Sequence, residues 1–295
     1  MLMPRDWRPA PAGTFALLVL GVSIGFGAFA WVGSAAPLLM VTRFATRYGD
    51  GAWGTVDVCK PTMPAFGRRR PGVLLIHGGG WMEGGRDAFR NWCMSFAQND
   101  VVAATIDFRP AVPTEPESRW PVQLDDSKAA WDWFRGKASE YGVDPNRICV
   151  LGASTGGHLA LWLGMTAQKP ACVVDIAGPT DLTTLPRQNF DLSFQRVFGL
   201  DYTSRQLHDA SPIYGPIENL PPTMMIYGAY DEVVPADQAT PLDAAMRSLH
   251  RTPVMIIHQG DHLDGLSSQI FTHALKFIGA VPPLPPAARE AESPG

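Results

Sequence analysis

Hydrophobic positions follow three patterns along this chain, and each predicts a different element. From Thr14 to Val41 no residue is charged, and Phe15 to Val32 is dense in Leu, Val, Ile, Phe and Ala. Farther on, short runs rich in β-branched residues predict strands at Thr55–Cys59, Val73–His77, Val101–Ile106, Arg147–Leu151, Ala171–Ile176, Thr223–Tyr227 and Pro253–His258. Thr55–Cys59 alternates and reads as a short edge strand, whereas Val73–His77 and Val101–Ile106 read as strands buried on both faces. Between them the apolar spacing becomes helical. Asp87–Gln98 places Phe89, Trp92, Cys93 and Phe96 on one face, and Gln123–Tyr141 ends at Gly142, a suitable C-cap. Further helices are predicted at His158–Gly164, 236–250 and Asp264–Ile278.

Strands alternating with helices imply an α/β fold with a mostly parallel central sheet and helices on both faces. One domain accounts for residues 55–280, preceded by a linker at 42–54. Within it, residues 180–221 lack a strong period and carry scattered aromatics, which predicts a small cap of short helices. The Pro- and Ala-rich end, 281–295, has too little apolar content to order and is expected to be disordered.

The uncharged segment 14–41 is long enough to cross a bilayer, which needs roughly 20 apolar residues. Arg5 and Arg8 precede it, and Arg43 and Arg47 follow. A membrane anchor is the reading adopted. A cleaved signal peptide is the alternative, with Ala28-Phe29-Ala30 as a small-x-small site and a secreted or periplasmic product. The 13 residues before it form an N-terminal flank.

Composition narrows the function by exclusion. At 295 residues and a formal net charge of -4, the chain has no basic footprint, so nucleic-acid binding has no electrostatic support. The four cysteines, Cys59, Cys93, Cys149 and Cys172, show neither metal-ligand nor redox spacing, and no cofactor is predicted. Cys149 and Cys172 fall within predicted strands and read as small buried hydrophobes. Cys59 and Cys93 could pair in an oxidising compartment, but spacing alone carries no such bond.

The candidate chemistry lies at the carboxyl ends of the predicted strands, where open parallel sheets gather ligands. Gly152-Ala153-Ser154-Thr155-Gly156-Gly157-His158 joins a strand to a helix, the context in which a G-x-S-x-G match counts as a nucleophile elbow. His77-Gly78-Gly79-Gly80-Trp81 ends an earlier strand, and exposed N–H groups there suit a developing oxyanion. Asp231 follows a third strand and His262 a fourth, giving the order Ser, Asp, His. In such a set His262 is the base for Ser154, Asp231 fixes its tautomer, and the N–H groups of Gly79, Gly80 and Thr155 form the oxyanion hole. Among rival histidines, His258 lies inside a strand, His77 suits an anchor for the glycine loop, and His158 opens the elbow helix. Trp81, Trp120, Phe190 and Phe194 could line an apolar substrate pocket, or equally be core.

These motifs, with Asp144-Pro145-Asn146-Arg147-Ile148 and Pro221-Pro222-Thr223, resemble the α/β-hydrolase esterases and lipases related to hormone-sensitive lipase. The nearer likeness is to bacterial carboxylesterases that also resemble feruloyl esterases and kynurenine formamidase. The resemblance spans about residues 71–280. Two features depart from it: Thr155 stands where that group usually carries Ala, and the short stretch before Val73 leaves room for fewer leading strands than the full fold. The resemblance implies a serine carboxylesterase acting on a small or medium ester. The alternatives are an amide or formamide hydrolase with the same triad, and a binding protein on an inactive hydrolase scaffold. The sequence carries no signal for oligomeric state.

Overall fold

The computed structural model describes residues 41–284, apart from 52, 65–66 and 166–168. The segment 14–41 lies outside the described residues except for its last position, as does the tail from residue 285. Among the described residues, no helix is long and apolar enough to cross a membrane.

Eight strands form one sheet: β1 (Val41–Arg47), β2 (Thr55–Pro61), β3 (Arg70–Ile76), β4 (Val102–Ile106), β5 (Val143–Ala153), β6 (Val173–Ile176), β7 (Thr223–Gly228) and β8 (Val254–His258). Their order is β1-β2-β4-β3-β5-β6-β7-β8; β2 runs antiparallel to both its neighbours, β1 and β4, and β3 through β8 run in parallel. Among the described residues eight α-helices connect or flank them: α1 (Arg90–Gln98), α2 (Val122–Gly136), α3 (Ala138–Tyr141), α4 (Thr155–Gly164), α5 (Arg187–Phe198), α6 (Ser204–Asp209), α7 (Ala239–Ser248) and α8 (Ser268–Ala280).

Because side chains alternate across a strand, β3 sends Leu74 and Ile76 to one face and Val73 and Leu75 to the other. The first face packs under α2, α4 and α7 through residues such as Phe134, Leu161 and Met246. The second packs under α1 and α8 through Phe96, Ala274 and Ile278. Both faces are therefore dry over β3, β4, β6 and β7, which is why those strands are mostly apolar, whereas the outer strand β8 is largely exposed. Gly142 takes the left-handed conformation, φ 72°, that ends α3, as its sequence position predicts.

Three expectations are corrected here. Val41–Arg47 is a strand, so Val41 is not the end of an anchor segment and residues 42–47 are not linker. The strand pairs with all of β2, and Phe44 packs against Tyr141. Its charged residues concealed it, since an edge strand with an exposed face tolerates them. In consequence β2 is interior, not an edge, and the sheet has its full set of leading strands within the short stretch before β3. The cysteines also differ from expectation. Cys59 on β2 bridges to Cys93 on α1, and Cys149 on β5 bridges to Cys172 just before β6, with Cα atoms 5.6 and 4.6 Å apart. All four are buried, as predicted for Cys149 and Cys172, and none is free. Pairing across adjacent elements depends on register, which spacing does not reveal.

Candidate active site

Ser154 stands where β5 ends and α4 begins, with φ 54° and ψ −125°. Such a positive φ in a non-glycine residue is strained, and it turns the side chain away from the strand that precedes it. The strain is carried by the serine itself, whereas the flanking glycines have ordinary φ and serve close approach. A Cβ on Gly156 would lie 2.0 Å from Ile76 O, and one on Gly152 would lie 2.0 Å from Gly156 O. The elbow helix thus rests directly on the backbone of β3 and β5.

Asp231 follows β7, and His262 follows β8, which neighbours it in the sheet. His262 Nδ1 is 2.7 Å from Asp231 Oδ2. The other oxygen of Asp231 accepts from the N–H groups of Val233 and Val234 at 2.9 and 2.8 Å. The carboxylate is therefore fixed from both sides and buried, while His262 is partly exposed. With an ionised carboxylate accepting at Nδ1, the proton of neutral His262 lies on Nδ1 and the Nε2 lone pair is free to act as a base. Glu232, the neighbouring carboxylate, is exposed, and it is its main-chain carbonyl that accepts from Asn189 Nδ2.

Ser154 and His262 line one cavity of about 620 Å³. Gly78, Gly79 and Gly80 form another part of its wall, and Met82, Ile176, Phe190, Val233 and Leu266 give it apolar surface. Thr155 is buried as the first residue of α4, so its N–H points from an uncapped helix start. The hydroxyl of Ser154 forms no hydrogen bond among the described residues; hydrogen bonds of this kind often tighten only when substrate is bound.

The glycine loop is built on His77. Its Nδ1 donates to Gly78 O at 2.7 Å, and its ring stacks on Phe108 with centroids 4.3 Å apart. Burial depresses its pKa, so it is held neutral as an anchor, not as a base. His158 is also structural. It is fully buried, Nε2 donates to Ala210 O at 2.8 Å, and burial pushes its pKa down to about 4. Trp81 lies behind the loop, 1 % exposed and edge-on to His158 at 5.2 Å, and is not on the cavity wall. Phe190 lines the cavity, whereas Phe194 and Trp120 pack behind it. Sequence reasoning missed Met82, Ala177, Val233 and Leu266 on the wall, because single apolar residues in turns carry no periodic signal.

An eight-stranded sheet in this order, with serine, acid and histidine after β5, β7 and β8, defines an α/β-hydrolase of the HGGG esterase type. More particularly, the chain belongs to the BD-FAE family, whose sequence profile matches residues 57–246. Esterase LipC of Mycobacterium tuberculosis is 32% identical over 270 residues, covering 81% of this chain and 64% of the relative. The chain thus spans less than two thirds of that relative's own length. Among solved structures, a truncated carbohydrate esterase from gut microbiota superposes with TM-score 0.69 at 20% identity, covering 83% of this chain and 97% of that one. Thermogutta terrifontis esterase 2, phosphonylated by sarin, gives TM-score 0.69 at 23% identity, covering 82% and 97%. At those identities the two structures speak to the fold.

Proposed function

We propose that the protein is a serine carboxylesterase that cleaves small or medium carboxylic esters through an acyl-enzyme. The observation that carries this reading is the 2.7 Å contact of Asp231 with His262, which lines the same cavity as Ser154. His262 Nε2 takes the Ser154 proton as Oγ attacks the ester carbonyl carbon. The carbonyl oxygen becomes an oxyanion, received by the N–H groups of Gly79, Gly80 and Thr155. Collapse of the tetrahedral species expels the alcohol, which leaves with the proton held by His262. Water then attacks the acyl-enzyme with His262 again as base, releasing the acid and restoring Ser154. Asp231 stabilises the imidazolium in both halves. The cavity volume and its apolar lining suit a modest acyl or alcohol group.

Two disulfides support an oxidising location, outside the cytosol. With them, the uncharged segment that precedes β1, residues 14–40, is read as holding the domain at the membrane.

Ser154→Ala is the decisive test. Turnover of p-nitrophenyl acetate should fall by roughly 10⁵-fold or more, to the residual rate of a site without its nucleophile. Labelling by a fluorophosphonate probe should vanish with it, while the circular dichroism spectrum stays the same. Retained turnover removes Ser154 from the mechanism.

A further inference from the structure

Beneath the elbow lies a carboxyl group that the hydrolytic relay does not use. Asp175 is a central residue of β6 and has no exposed surface. Among the described residues no Lys, Arg or His is a partner to it, in contrast to buried Asp57, which is paired with Arg43 and Arg86. An ionised carboxylate in such a place is costly.

Its contacts can be counted proton by proton. Asp175 Oδ1 accepts from the N–H of Gly178 at 2.9 Å. Asp175 Oδ2 lies 2.8 Å from Tyr227 Oη, and the same Oη is in close contact with Gly178 O. A carbonyl oxygen can only accept, so the single phenolic proton of Tyr227 serves Gly178 O. The contact to Asp175 then lacks a proton unless the carboxyl supplies one. With Asp175 protonated, all three contacts are hydrogen bonds and every polar atom in the cluster is satisfied.

The cluster joins the parts of the site. A Cβ on Gly157, in the first turn of α4, would lie 2.2 Å from Asp175 Oδ1, and so would one on Gly178. The carboxyl is therefore packed against the elbow helix. Tyr227 belongs to β7, four positions before Asp231. Between Asp175 and Gly178, Ala177 has φ 50° and lines the substrate cavity.

We propose that Asp175 is a neutral carboxylic acid donating to Tyr227, and that it is the positioning residue that ties the nucleophile elbow to the strand delivering Asp231. The positional part of this inference rests on the reading of Ser154 and Asp231 as nucleophile and acid. The groups facing the carboxyl are Tyr227 on β7, the Gly178 turn and Gly157 on α4. His158, next to Gly157, turns its ring to Ala210, and Asp231 acts on the Tyr227 side as a further negative charge. Burial raises the Asp175 pKa to about 7, so its proton is lost as pH rises through neutrality. Ionisation leaves Tyr227 with two acceptors for one proton, and the turn that carries Ala177 loosens.

The test begins with wild-type protein carrying ¹³C-carboxyl aspartate. At pH 6 one resonance should report a neutral carboxyl, and it should be absent from Asp175→Asn. The pH–rate profile should contain an alkaline fall with an apparent pKa near that of Asp175. Asp175→Asn keeps a donor to Tyr227 and an acceptor for Gly178, so it should remove that fall while holding kcat/KM at pH 6 close to wild type. Tyr227→Phe removes the acceptor and should lower kcat about tenfold or more with little change in KM, because the elbow is displaced. A wild-type spectrum with every aspartate ionised at pH 6 overturns the proposal by itself, as does an Asp175→Asn variant that is folded and as impaired as Asp175→Ala. The protonation is read without turnover, so its failure is distinguishable from failure of the triad.

Discussion

His158 makes an acid-dependent contribution to stability whose size follows from its burial. Neutral imidazole is required in the fold: Nε2–H donates to Ala210 O, and Nδ1 is the acceptor facing Trp81 Nε1 at 3.4 Å. Its folded pKa of about 4 lies below the ordinary 6.5. The unfolded chain therefore binds more protons between these values, and stability is lost as pH falls from 6.5 towards 4. Evaluating the two binding curves at pH 7 and pH 5 gives a loss of about 2 kcal/mol from this residue alone. Asp175 has the opposite sign. Its pKa is raised, so its contribution is present at low pH and is lost as pH rises from 3.8 through about 7. Over the same interval it gains about 2 kcal/mol on acidification, and the two nearly cancel in the wild type. A pH series on wild-type protein alone would miss both. The informative quantity is the difference between wild type and His158→Gln in urea denaturation, since other titrations then drop out. Gln keeps a donor near Ala210 O but does not titrate. The stability advantage of wild type should shrink by about 2 kcal/mol between pH 7 and pH 5, or roughly 4–8 °C in melting temperature. An advantage of the same size at both pH values would falsify the assignment of His158 as a buried neutral group.

Two further outcomes follow from packing and cross-links. Reducing the disulfides should cost about 3–4 kcal/mol each by loop entropy, given sequence separations of 34 and 23. Calorimetry with and without a phosphine reductant measures the loss, and mass spectrometry of protein from an oxidising host that finds four free thiols refutes the pairing. Gly156→Ala should lose more than about 3 kcal/mol, because its Cβ meets Ile76 O at 2.0 Å and His77 O at 2.5 Å, both main-chain atoms. Gly136→Ala, with nothing within 4 Å in α2, is the control and should be neutral or stabilising by under about 1 kcal/mol. Equal melting temperatures for the two variants would contradict the close approach of elbow and β3.

The parallel core was legible in the sequence because strands buried on both faces must be apolar throughout, and Val73–His77 or Thr223–Tyr227 can be little else. Ser154, Asp231 and His262 were legible for a related reason. Each follows a strand whose carboxyl end opens onto the same edge of the sheet, so chain order already implied proximity. β1 was not legible, since an outer strand need bury only part of one face and Arg43 and Arg47 are compatible with that. Nor was the wall of the cavity, where Met82, Val233 and Leu266 arrive singly from three turns.

What sequence order cannot carry is lateral pairing between neighbouring strands, and two of the informative surprises of this structure are of that kind. Cys149 and Cys172 bridge because β5 and β6 are adjacent and in the right register. Asp175 meets Tyr227 because β6 and β7 are adjacent, and it presses on Gly157 because α4 crosses above the same point. Both Cys172 and Asp175 lie in a run that reads as an ordinary apolar strand, interrupted by one carboxylate. That interruption was the available signal. A lone Asp in an otherwise dry strand needs a partner or a proton, and here the proton count between Asp175, Tyr227 and Gly178 requires the proton.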